Sequence, residues 1–84
     1  MSALRTYLAE AYAPSSSDFS GLLEQAQRAS TTAMPTAGVR HVRSILLTED
    51  EICFHLFEAA SAESLRNALD AVALRALRIV EVRT

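Results

Sequence analysis

The chain has no lysine, one cysteine, two glycines and two prolines in 84 residues. Each scarcity removes a class of explanation. All eight strong bases are arginines, set against ten acids for a formal charge of −2, so no cationic stripe exists to follow a phosphate backbone and nucleic acid is not an expected partner. A lone Cys53 cannot close an internal disulfide, and its place in an apolar alternating run reads as a buried thiol. With so few glycines there is no Gly-rich phosphate loop. Paired Cys-x-x-Cys, His-x-x-x-His and Gly-x-Ser-x-Gly motifs are missing too. Met1-Ser2-Ala3-Leu4-Arg5 has no basic region followed by an apolar run, and no stretch approaches the roughly 18 apolar residues of a membrane span. The expectation is a cytoplasmic protein without a membrane partner. The preference for arginine over lysine, with abundant alanine, is a bias associated with high-GC bacteria.

What is present is half apolar and 21% charged, the composition of a globular chain. The length suits one domain spanning 1–84, and a domain of this size buries only about 60 to 65% of its unfolded surface, so a second copy would add stability.

Leu4 to Tyr12 reads as a first strand, ended by Pro14. Ser15-Ser16-Ser17-Asp18 offers helix caps, and Phe19, Leu22, Leu23, Ala26, Ala29 and Ala33 recur at helical spacing up to about Ala33, with Glu24, Gln25, Gln27, Arg28 and Thr31 opposite. Met34-Pro35-Thr36-Ala37-Gly38 is expected to break that helix. Val39–Thr48 and Glu51–Ala59 suit extended chain around a Glu49-Asp50 hairpin turn. Ser61 caps a second helix bearing Glu63, Leu65, Ala68, Leu69 and Val72, and Leu77–Val82 closes as a fourth strand.

The order βαββαβ predicts a ferredoxin-like α+β sandwich: a four-stranded antiparallel sheet with two helices on one face, the bare face suited to pairing as a dimeric α/β barrel. Leu8-Ala9-Glu10-Ala11 is echoed by Leu56-Phe57-Glu58-Ala59, and two such halves read the first and third strands as parallel neighbours at the centre. Counting back from the turn pairs Leu47 with Ile52, Ile45 with Phe54, Arg43 with Leu56 and His41 with Glu58 on one face. Leu46 with Cys53, Ser44 with His55 and Val42 with Phe57 fall on the other. Neither face is a solvent face.

By the echo, Glu10 and Glu58 project near one edge of the sheet with His41 between them. A histidine between two carboxylates is a candidate acid–base pair or a site for a divalent transition metal such as nickel or zinc, though no cofactor is required. Arg43 is placed to hold an anionic group; Tyr7 and His55 complete the candidate ligand-binding residues. The ordinary alternative is that the glutamates sit in solvent and that His41 with Glu58 is a stabilising cross-strand pair. His55 opposite Ser44 equally suits a satisfied, buried histidine.

Gly38-Val39-Arg40-His41-Val42-Arg43-Ser44 and His55-Leu56-Phe57-Glu58-Ala59-Ala60-Ser61 resemble the small actinobacterial ferredoxin-like domains of unassigned function that include a nickel-binding protein. The resemblance runs from the first strand through Val82, and it implies a dimeric ferredoxin-like fold with transition-metal binding. The chain departs from that pattern at His41 (an aromatic), Arg43 (a histidine), His55 (a cysteine) and near Asn67 and Ala68 (a histidine). Three functions follow as expectations. One is a homodimer taking a small apolar molecule or a metal at Glu10, His41, Glu58 and Arg43. Another is a cofactor-independent isomerase, cyclase or monooxygenase with His41 and Glu58 or Glu10 as acid and base. The last is a pure dimerisation or protein-interaction module.

Overall fold

A computed structural model of the chain describes residues 4–14 and 16–83, and for residues 31–37 the backbone only. The amino-terminal residues read for a leader, Ser15 of the capping cluster and the side chains of Thr31 and Ala33 therefore lie outside the described residues. The elements follow in the expected order as β1 (Arg5–Tyr12), α1 (Phe19–Ala37), β2 (Arg40–Leu47), β3 (Ile52–Ala59), α2 (Ala62–Ala71) and β4 (Arg78–Val82). The sheet order is β2-β3-β1-β4 with every neighbouring pair antiparallel, which is the ferredoxin-like fold. No described helix is long and apolar enough to cross a membrane.

Alternation decides the layers. Tyr7, Ala9 and Ala11 of β1 and Phe57 and Ala59 of β3 point one way and meet Ala26 and Ala29 of α1 and Leu65, Ala68 and Leu69 of α2 in a single core. Alanines on both sides let the helices sit close to the sheet, and Phe57 is the largest fully buried side chain among the described residues. Tyr7, expected as a ligand-binding residue, is part of this core and only 4% exposed.

Three expectations need correction. The centre strands β1 and β3 run antiparallel, with Thr6 opposite Glu58 and Glu10 opposite Phe54. The sequence echo therefore puts the two glutamates on one face but four residues apart, roughly 13 Å along the strands, and not at a shared edge. The first helix does not stop at Pro35. Proline's fixed φ is compatible with a helix, and α1 runs through it to Ala37 and ends at Gly38, whose φ of 62° is left-handed. The hairpin loop is four residues, 48–51, closed by the Glu51 amide donating to the Thr48 carbonyl at 3.3 Å, with the Leu47–Ile52 register as expected.

The caps are those the sequence suggests. The Asp18 side chain accepts from the Ser20 amide at 3.2 Å, and the Ser61 hydroxyl accepts from the Ser64 amide at 3.1 Å. The two glycines make opposite predictions. A Cβ at Gly38 meets nothing within 4 Å, but the left-handed backbone is costly for alanine, so Gly38→Ala destabilises by about 1 kcal/mol. Gly21, inside α1, would place a Cβ at an ordinary 3.6 Å from Asp18, so Gly21→Ala stabilises by up to about 1 kcal/mol. Urea denaturation of the two variants reads both signs.

Candidate functional site

The pairing of β2 with β3 follows the expected register from Leu47 to Arg43 and then slips. Ser44 faces His55 and Arg43 faces Leu56, but the next pair is His41 with Phe57, and Arg40 rather than His41 faces Glu58. Val42 is the extra residue of a β-bulge, left 46% exposed. The slip carries His41 to the opposite face of the sheet.

Glu10, His41 and Glu58 are therefore not brought together. Glu58 accepts from Arg40 at 2.8 Å, and Glu10 from Arg78 at 3.2 Å, each an exposed or half-exposed ion pair on the face away from the helices. Among the described residues no three His, Cys, Asp or Glu side chains converge as a metal-ligand set. The residues present thus do not fit the nickel or zinc centre expected at this corner. Arg43 stays on the open face, and among the described residues it has no ion-pair partner.

Beneath the sheet, on the helix side, the slip builds a different cluster. His41 Nε2 lies 2.9 Å from Ser44 Oγ, and Ser44 Oγ lies 2.6 Å from His55 Nδ1. One serine hydroxyl thus links two imidazoles. The rings stack loosely on Phe57, His41 at 5.3 Å between centroids and His55 at 6.3 Å, both edge-on or tilted. Cys53 Sγ is 3.9 Å from His55 Nδ1, too far for more than a weak contact, and burial pushes its thiol pKa up, so it is unreactive.

Burial also decides the charge of the two rings. His55, 1% exposed, is held down to about 4, by loss of solvent first and by neighbouring His41 second. His41 is lowered by burial as well, against a hydrogen bond to the Arg43 backbone that raises it. Both rings are neutral at pH 7.

His55 also forms part of a cleft of about 350 Å³ whose lining includes Ala11, Tyr12, Leu22, Leu74, Leu77 and one cation, Arg75. Gln25 of α1 braces it, donating from Nε2 to the Val72 and Ala73 carbonyls at 3.2 Å each and tying α1 to the α2–β4 link. The sequence placed Ser44 opposite His55 correctly. It carried no signal for the cleft, whose wall comes from the link at Ala73–Leu77, nor for the bulge that supplies His41.

No protein-family model matches the chain, and no curated protein matches it. The crystal structure of SCO4226 from Streptomyces coelicolor A3(2) is similar over 94% of this chain and 96% of that one, with a TM-score of 0.76 and 19% sequence identity. At that identity the likeness shows the fold alone. It supports the ferredoxin-like architecture over nearly the full length of both chains.

The low His55 pKa has a measurable consequence. The unfolded chain takes a proton near pH 6.5 and the native state refuses it until about 4, so stability present above 6.5 is lost as pH falls through that window. The loss for His55 is roughly 3 kcal/mol over the whole window, about 2 of it reached by pH 5, with His41 acting in the same direction. Urea midpoints measured from pH 7 down to about 5, above most carboxylate titration, are expected to fall in the native protein and to fall much less in His55→Gln. A flat native curve would contradict the assignment.

Proposed function

We propose that the chain is a small homodimeric binding protein in which two copies stack their open sheet faces and hold a small amphiphilic molecule at the rim. The observation that carries this reading is the make-up of that face. Row by row across β4, β1, β3 and β2 it holds Val82, Thr6, Glu58 and Arg40; then Val80, Leu8, Leu56 and Arg43; then Arg78, Glu10, Phe54 and Ile45. A last row adds Tyr12, Ile52 and Leu47. Ile45 and Leu47 are 43% and 39% exposed in the single chain.

Four strands about 4.8 Å apart and some 25 Å long present roughly 500 Å² per copy, so a face-to-face pair buries about 1,000 Å², the lower bound for a specific interface. The charges on the face favour stacking, because Arg40 with Glu58 and Arg78 with Glu10 are already neutralised as pairs. Arg43 is the exception. It closes the apolar row of Val80, Leu8 and Leu56, where a cation beside greasy side chains suits the head of a small organic acid whose body lies along that row. The same family resemblance that suggested a dimer agrees with this arrangement. Metal is not part of the proposal, and the enzyme reading loses its acid and base, since Glu10 and Glu58 are tied to arginines and His41 is on the other face.

Sedimentation velocity tests the dimer directly. The native protein is expected to sediment with twice the 9.1 kDa mass of the chain, and Leu56→Asp, which puts a charge at the centre of the stacked faces, to sediment with the single-chain mass while keeping its circular dichroism. A native protein of single-chain mass across the micromolar range would sink the proposal.

A further inference from the structure

We propose that the cleft on the helix side of the sheet is a second binding site, taking a largely apolar molecule that donates one hydroxyl or N–H hydrogen bond to Nε2 of His55. The site lies on the face that stacking of the open sheets leaves free, so it stands whether or not the chain pairs.

The direction of the hydrogen bonds follows from counting protons along the chain of three side chains. His41 Nε2 faces Ser44, so its bond to the Arg43 backbone is made by Nδ1. A backbone contact that favours the protonated ring is one to a carbonyl, and we assign the proton of the neutral His41 ring to Nδ1 on that ground. His41 Nε2 then carries a lone pair and accepts from the Ser44 hydroxyl. Ser44 has spent its only proton, so it accepts from His55 Nδ1–H across 2.6 Å. A neutral ring with its proton on Nδ1 keeps a lone pair on Nε2. The relay therefore fixes His55 as an acceptor at the one atom that the serine does not hold.

The surroundings select the rest of the ligand. Ala11, Leu22, Leu74 and Leu77 give the cleft apolar walls, and its volume of about 350 Å³ suits one or two fused rings. A carboxylate against Nε2 would meet a lone pair, so the group that meets His55 is an alcohol, phenol or amide N–H, while Arg75 in the same lining can take an anionic group elsewhere on the ligand. A ring that stays unprotonated down to about pH 4 is a poor base, which makes this a binding acceptor and not a proton abstractor.

The test titrates 2-naphthol and its methyl ether, 2-methoxynaphthalene, into the full chain and follows imidazole ¹⁵N and leucine methyl signals by NMR. Binding of 2-naphthol is expected to move the His55 Nε2 signal and the methyls of Leu22, Leu74 and Leu77, and the ether to bind about tenfold more weakly, the worth of one buried hydrogen bond. Ser44→Ala removes the relay without touching the cleft wall, and there the preference for the naphthol is expected to shrink to a few-fold. Equal affinity for the two probes in the native chain, no movement of the His55 signal on saturation with 2-naphthol, or an undiminished preference in Ser44→Ala would each overturn the proposal.

Discussion

The bulge at Val42 is the constraint on which the rest of the molecule's polar chemistry depends. One extra residue between Arg43 and His41 reverses the side to which every residue before it points. It moves His41 under the helices and brings Arg40 out to Glu58. Both moves leave the displaced groups satisfied: Arg40 reaches Glu58 at 2.7 to 2.8 Å, and His41 gains Ser44 and the edge of Phe57. Had the strand kept strict alternation, an arginine would stand against the core and a histidine against a glutamate. A guanidinium cannot shed its charge in the core as an imidazole can, which is the physical reason the slipped register is preferred.

The consequence is a sheet whose faces do different work. The helix face is alanine-rich where it must be thin and carries a neutral two-histidine relay where β2 and β3 run beside the cleft. The open face keeps its charges paired, Arg43 apart, and presents its aliphatic rows to a partner. Neutrality of the two rings ties these together, since a charged His55 inside the core would cost stability and weaken the packing of both helices on the sheet.

Much of this was legible in the sequence. Helical spacing located α2 and its Ser61 cap, hairpin counting set the register from Leu47 to Arg43, and alternation divided Cys53, His55 and Phe57 from Ile52, Phe54 and Leu56. The site was legible only in part. Ser44 opposite His55 follows from the count, but a bulge breaks the period of two on which the count rests, and nothing in Arg40-His41-Val42-Arg43 announces it. The antiparallel run of β1 against β3 separated Glu10 from Glu58 because an echo in sequence says nothing of chain direction. The cleft depends on the path of the α2–β4 link, where Ala73 takes a left-handed φ of 57° that its side chain does not favour.

The side of the sheet on which the His41 ring lies is the most direct test of the bulge. Through-space proton contacts from the His41 ring, measured by NOE spectroscopy, are predicted to reach the Phe57 ring and the Ser44 β-protons. Contacts to the Leu56 methyls and the Glu58 side chain instead would place His41 on the open face and contradict the bulge, the relay and the division of labour between the two faces.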